Sequence, residues 1–293
     1  MSKPKQTHIP VLMQQVLDLL APQAGESFLD LTAGAGGHAG AVLELTMAPA
    51  KATLIDRDPE AIDGLRKKFK DTSLLQSDFY SAVKELKGQG KKYDIILADL
   101  GVSSLHLEHG LRGFSFNRPG PLDMRMDRGQ SLSAEEIVNT WSEADLANIL
   151  KRYGEERKSR QIARKIVAQR PIHTTDQLAA VVTKTYRIRS RIHPATRTFQ
   201  ALRVAVNDEL NQLEKSLPLM LELLAPGGRL AIISFHSLED RLIKQSFKAA
   251  TEQGYEAEIY ALTKKPVTAT PDEIVLNPRA RSAKLRAVAK IKK

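Results

Sequence analysis

The sequence predicts an α/β protein: a doubly wound, mainly parallel sheet with an inserted helical domain. Three observations carry this. Strand-like and helix-like segments alternate through the first hundred residues. The alternation stops near Leu105 and resumes near Leu210. A glycine-rich turn follows the first strand.

The elements read as follows. Residues 27–31 form a strand leading into Asp30-Leu-Thr-Ala-Gly-Ala-Gly-Gly-His38, and the alanine-rich residues 39–46 leave it as a helix. Gly34, Gly36 and Gly37 allow a tight turn and a close approach to a ligand, because no Cβ intervenes. Residues 52–55 are a strand, and 60–69 a helix opened by Pro59 in its first turn. A short strand at 72–76, a helix at 80–86 and an apolar strand at 93–100, buried on both faces, complete the first half. Residues 106–127 are irregular and rich in Gly, Pro, Asn and Arg. Residues 133–151, 157–169 and 175–184 are helical, with Ser133 and Glu136 spaced as a capping box. A helix at 210–224, a strand at 228–235 and a helix at 238–250 restore the rhythm, and strands near 255–262 and 282–291 end it. The organisation expected is one α/β domain, 1–104 with 212–293, interrupted by a basic, mainly helical insertion, 105–211.

The 293 residues carry no cysteine, which excludes disulfides and thiolate–zinc sites. No apolar run is long enough to span a membrane, and Met1-Ser-Lys-Pro-Lys-Gln lacks the apolar core of a signal peptide, so the cytoplasm is expected. The net charge of +10 is segregated. Residues 151–206 hold fourteen Lys/Arg against three Asp/Glu, and residues 277–293 hold seven against none, so the remainder is net acidic. An acidic body with two basic zones suits a protein that grips a polyanion, nucleic acid in particular.

Gly34-Ala-Gly36-Gly-His-Ala39 fits the loose dinucleotide pattern, which leaves an NAD-linked oxidoreductase as the competing reading. Three carboxylates point elsewhere. Asp30, four residues before Gly34, would repel a pyrophosphate and suits a cationic amino group. Asp56 ends the second strand, where it can accept both ribose hydroxyls. Ser77-Asp-Phe79 ends the third, placing an acid for an adenine amine and a ring to pack on the base. Together they match S-adenosylmethionine better than NAD. Asp99-Leu-Gly-Val-Ser-Ser104 follows the fourth strand, where Asp99 or a backbone carbonyl can accept the N–H of an exocyclic amine. Without cysteine, the thiolate route to carbon-5 methylation of pyrimidines is closed.

The chain also resembles the ribosomal RNA small-subunit methyltransferase H family. The likeness runs from His8-Ile-Pro-Val-Leu12 through Gly113-Phe-Ser-Phe116, Pro121-Leu-Asp-Met-Arg-Met-Asp127 and Tyr153-Gly-Glu-Glu-Arg157. It continues in His193-Pro-Ala-Thr-Arg-Thr-Phe-Gln-Ala-Leu-Arg203, Ser234-Phe-His-Ser-Leu-Glu-Asp-Arg241 and Asn277-Pro-Arg-Ala-Arg-Ser-Ala-Lys-Leu-Arg286. The resemblance implies a class I methyltransferase fold with a helical insertion. It places S-adenosylmethionine on Gly36, Gly37, His38, Asp56, Phe79 and Asp99. A further contact falls on His106, where the family usually has glutamine, beside Leu105 in place of a usual proline. It implies direct, in-line methylation of a cytosine N4 in 16S ribosomal RNA, cytosine 1402 of the decoding centre, within the 30S particle. A non-catalytic RNA-binding protein and a protein methyltransferase are the remaining alternatives.

Asp99, Ser103 and His236 are the catalytic candidates, although His236 reads equally well as a structural histidine. Arg187, Arg189, Arg191, Arg197 and Arg203 are the candidates for RNA contacts, the last two sharing helical spacing with Gln200. Residues 121–127 read equally as a catalytic rim or as a loop pinned by Asp–Arg pairs. His106, Glu108 and His109 lack a third ligand cluster, so no metal is expected. A homodimer is left open.

Overall fold

The computed structural model describes residues 10–102, 110–186, 193–252 and 257–291. In chain order the elements are α1 (Met13–Leu20), β1 (Phe28–Asp30), α2 (Gly37–Thr46), β2 (Ala52–Asp56), α3 (Pro59–Lys68), β3 (Ser73–Gln76), α4 (Phe79–Gly88) and β4 (Tyr93–Asp99). Then come α5 (Ala134–Thr140), α6 (Glu143–Gly154), α7 (Ser159–Ala168), α8 (Thr175–Thr183), α9 (Thr196–Asn207) and α10 (Glu209–Glu222). β5 (Leu224–Ser234), α11 (Ser237–Thr251), β6 (Ile259–Ala261), α12 (Pro271–Leu276) and β7 (Lys284–Lys290) complete the chain. It divides into two compact units, Met1–Gly101 with Asn211–Lys293, and Val102–Leu210.

The first unit holds a seven-stranded sheet in the order β3-β2-β1-β4-β5-β7-β6. β1 to β5 pair in parallel, and β7 runs antiparallel between β5 and β6. Alternation along β4 sets the two faces. Ile95 and Leu97 join the core under α1, α2 and α3, with Val16, Leu20, Ala39, Val42, Ile62 and Leu65. Ile96 and Ala98 join the opposite core with Val83 and Leu86 of α4, Leu213 and Leu217 of α10, and Ile243 of α11. A strand with helices on both sides is apolar through its middle, which is why Ile95–Ala98 reads as a continuous apolar run.

Helix starts follow local chemistry. Asp58 Oδ1 accepts the Glu60 N–H at 3.0 Å ahead of Pro59, and Asp78 Oδ1 accepts the Ser81 N–H at 2.9 Å. The expected helix over 133–151 is two, α5 and α6. Ser142 caps α6, its Oγ accepting the Asp145 N–H at 3.1 Å, and Trp141 before it is extended. β5 starts at Leu224 and not at 228, because Leu224 already pairs with Tyr93 before the register shifts. Helices α1 and α12 were not anticipated. Both are short, and α12 buries none of its residues.

The second unit is helical and has its own core, in which Ile137, Leu150, Ile162, Leu178 and Leu202 of five helices meet Leu122 and Met124. The segment 121–127 is pinned as an Asp–Arg loop. Arg125 Nε and Nη2 donate to Asp123 Oδ1 and Oδ2 at 2.7 and 3.0 Å, and Nη1 donates to the Gln130 carbonyl at 2.7 Å. Asn207, 1% exposed, stitches the loop to α9. Its Oδ1 accepts the Met126 N–H and its Nδ2 donates to the Met124 carbonyl. Among the described residues no helix is long and apolar enough to cross a membrane.

Three of the seven cations in the basic C-terminal run are corrected as parts of a polyanion grip. They lie on the inner strand β7, where Arg286 and Lys284 both donate to Asp240 of α11, at 2.7 and 3.0 Å, and Lys290 lies 3.4 Å from Glu258. Those charges neutralise acids of their own unit.

Candidate active site

Ligands of open parallel sheets bind beyond the carboxyl ends of the strands, where the strand order reverses. Here that point lies between β1 and β4, and three carboxylates stand on the corresponding strand ends: Asp30 on β1, Asp56 on β2 and Asp99 on β4.

The turn after β1 is tied down by its neighbours. Asp56 Oδ2 accepts the Gly34 N–H at 2.8 Å and its Oδ1 accepts the Asp58 N–H at 2.8 Å, so one carboxylate joins the glycine turn to the β2 end. Gly36 caps α2 with φ of +70°. A Cβ there would fall 2.5 Å from Phe69 Cε2 and 2.9 Å from Leu65 Cδ2, and one on Gly37 would fall 2.5 Å from Pro10 Cγ. In this structure packing inside the unit by itself already demands both glycines. Gly36→Ala combines a left-handed backbone with an overpacked contact, and should cost about 2–5 kcal/mol of stability. A denaturant titration checks this; a loss under about 0.5 kcal/mol, the scatter of a neutral surface change, would rule out the clash.

His38, the second residue of α2, is 7% exposed. Its Nε2 lies 2.9 Å from the Val11 carbonyl, which can only accept, so this nitrogen carries the proton. Nδ1 faces Asp99 Oδ2 at 3.6 Å. The Asp99 N–H donates to Thr32 Oγ1 at 2.6 Å. A quarter of the Asp99 side chain is exposed, yet its Oδ1 is buried and has no hydrogen-bond partner among the described residues. Burial first, then the charges of Asp30 and Glu239, push the Asp99 carboxyl well above the usual carboxylate range. An orphaned, proton-hungry oxygen at a strand end is what a hydrogen-bond acceptor for a bound group requires.

Asp30 is 2% exposed, and its Oδ1 accepts the Thr32 N–H at 3.0 Å. Burial raises its carboxyl to about 7, with a smaller push from Asp56 against the opposing hydrogen bond. The folded state thus holds a proton that the unfolded chain has lost between about pH 4 and 7, and stability falls as pH rises through that window. Asp30→Asn, which keeps the accepting oxygen, should flatten this slope. The variant gains on the wild type by up to about 1.4 kcal/mol per pH unit and matches it below about pH 4. Parallel slopes for both proteins in denaturation at pH 4.5 and 7.5 would contradict it.

Phe79 is the first residue of α4, half-buried against the core of the sheet with Leu75, and Asp78 is spent on capping that helix. His236 is the N-cap of α11. Its buried ring lies against Glu239, Nε2 3.2 Å from Oε1, while Glu239 Oε2 accepts the Phe235 and His236 N–H groups. In this structure the His236 imidazole serves as the helix cap. Ser103 and His106 lie outside the described residues, as do Glu108, His109, Arg187, Arg189 and Arg191.

Of the arginines on α9, Arg203 is corrected as an RNA contact. Its Nε and Nη2 donate to Glu209 Oε1 and Oε2 at 2.9 and 2.8 Å and its side chain is 16% exposed, so its fork is already closed on a carboxylate. Gln200 Nε2 likewise donates inward, to the Tyr153 carbonyl. Arg197 is exposed, and its Nη1 donates to the Glu155 carbonyl at 3.3 Å. Sequence reasoning missed Thr32, which holds the Asp99 backbone, and Glu239, which charges the site from α11. Thr32 lies two residues past Asp30 in the motif itself, but Glu239 had no signal beyond its capping spacing.

Three carboxylates and an imidazole on one sheet edge fit a cationic, nucleoside-bearing cofactor. Comparison with known proteins agrees. Proteins named ribosomal RNA small subunit methyltransferase H are 47% identical in Nostoc punctiforme, over 97% of this chain and 94% of that protein, and 49% identical in a Synechocystis strain, over 97% and 93%. One from Koribacter versatilis is 44% identical over 97% and 94%. The model of the MraW methylase family matches residues 5–291, and the chain belongs to that family.

Proposed function

We infer that this S-adenosylmethionine-dependent ribosomal RNA methyltransferase acts on the exocyclic N4 amine of a cytosine in small-subunit RNA. The observation that carries the reading is Asp99: a carboxylate on the switch-point strand whose buried Oδ1 lacks a partner among the described residues. When bound, S-adenosylmethionine supplies an electrophilic methyl group. Asp30 would face its ammonium, and Asp56 its ribose hydroxyls. Gly36, Gly37, His38 and Phe79 would complete its seat.

The chain's own chemistry is modest, as the reaction allows. The amine lone pair is delocalised into the base, so an acceptor that engages one N–H and fixes its direction raises nucleophilicity and aligns the attack. Asp99 Oδ1 is that acceptor, and it takes the proton the amine loses. Asp99 must be ionised to do so; a cationic donor beside it offsets the like charges of Asp30 and Glu239. Thr32 and His38 position it. No thiolate is present, so carbon-5 chemistry is not available. The second unit, which carries most of the basic excess of 151–206, supplies the RNA grip, with Arg187, Arg189, Arg191 and Arg197 toward phosphates. Dispersed basic contacts suit a folded particle better than a short strand.

Unmodified small subunits incubated with the protein and S-adenosylmethionine should gain one methyl group, mapped by mass spectrometry to the N4 of a single cytosine. Modification at another atom or in the large-subunit RNA would overturn the specificity. Absence of methyl transfer to every RNA and particle would overturn the reading.

A further inference from the structure

The second unit carries an aromatic arrangement that the methyl-transfer chemistry does not use. His193 precedes α9 and is exposed. Its ring stacks on Phe116 with centroids 4.5 Å apart and planes 18° from parallel. Phe116 is half-buried and meets Phe199 edge-on, at 5.2 Å and 78°. Phe199 is 5% exposed and belongs to the unit's core. The imidazole is therefore the outer layer of a stack founded in the interior. Its orientation is also held from the side, because His193 Nδ1 accepts the Ala195 N–H at 3.2 Å.

An exposed aromatic ring held flat in advance loses little freedom when another ring lies on it. The surroundings select which ring. Arg118, two residues after Phe116, and Arg197, four after His193, are both exposed, and the same unit holds the stretch 151–206 with fourteen cations against three acids. A flat π-face on a unit with exposed guanidinium groups is the chemistry that takes an unpaired nucleobase together with its phosphates.

We propose that His193, backed by Phe116, is a stacking platform for an unstacked base of the substrate RNA, with Arg197 serving the adjoining backbone. The proposal rests on the ribosomal RNA reading and extends it: the enzyme engages a base through its face on the helical unit, separately from the one it methylates. Such a contact is sequence-tolerant, since every base has a π-face, and it demands locally single-stranded RNA.

The test measures methylation kinetics on unmodified small subunits for the wild type, His193→Ala, His193→Phe, His193→Gln and Arg197→Ala. S-adenosylmethionine titrations and thermal melts accompany each variant. His193→Ala should raise KM for the particle by about 5–150-fold, the range spanned by losing one base–aromatic stack. Its kcat and cofactor affinity should hold, and so should the salt dependence of binding. His193→Phe should stay within about threefold of the wild type, because phenylalanine restores the π-face. His193→Gln, which keeps a polar group without a ring, should behave like alanine. Arg197→Ala should lower the salt slope, by about 0.7–0.9 for one phosphate contact. Equal KM for wild type and His193→Ala would overturn the platform, and so would rescue by glutamine or failure of phenylalanine in a folded protein. A wild type that methylates no RNA would instead sink the reading on which the platform rests.

Discussion

Asp99→Asn should lower kcat by about 10²–10⁴-fold, the usual contribution of a positioned proton acceptor, while binding of small-subunit RNA changes little. Asparagine preserves size and one accepting oxygen, and the backbone bond to Thr32 Oγ1 is untouched, so the fold should survive. What disappears is the capacity to take a proton. The pH profile sharpens the test. Because burial and the charges of Asp30 and Glu239 raise the Asp99 carboxyl, wild-type turnover should rise as pH rises and the carboxyl ionises. Removing one like charge through Asp30→Asn should move that limb to lower pH. Equal losses of turnover and RNA affinity in Asp99→Asn would make the residue structural, and an unmoved limb would remove Asp30 from its surroundings.

Simultaneous charge reversal of Arg187, Arg189 and Arg191 should weaken RNA binding by about a hundredfold at low salt and flatten its salt dependence by about 2–3 in log–log slope, since each lost phosphate contact releases fewer counterions. Cofactor binding, whose described candidate residues belong to the first unit, should be unaffected. These arginines stand outside the described residues, so the expectation rests on charge density alone: fourteen cations against three acids in 151–206. An unchanged salt slope would mean that the three arginines serve another purpose. The contrast with Arg203 is instructive, because a residue of the same type in the same basic stretch is consumed by Glu209 and should contribute stability, not RNA affinity.

Much of the first unit was legible because its signals are local. An apolar run with helices on both sides betrays β4 and Pro59 opens α3, and in the second unit Ser133 caps the helix that follows it. Such features depend on residues a few positions apart. The glycine turn was placed correctly, but one reason for its glycines was not visible in it: Gly36 is pressed by Phe69, which is distant in sequence and adjacent only once α3 packs beside α2. The break at Trp141 was missed because capping by Ser142 competed with helical periodicity across it, and α1 and α12 were too short to show a pattern.

By itself the sequence determined the fold class, the strand ends that bear Asp30, Asp56 and Asp99, the chemistries that lack of cysteine excludes, and the charge available for a polyanion. Only the tertiary structure decided how each group is employed. It left Asp99 Oδ1 buried without a partner among the described residues, turned His236 into a helix cap, closed Arg203 on Glu209 and Arg286 on Asp240, and stacked His193 on Phe116. The physical reason is range. Backbone propensity and capping act over one or two turns of chain, whereas the burial, pairing and protonation of a side chain depend on neighbours that folding brings from tens of residues away.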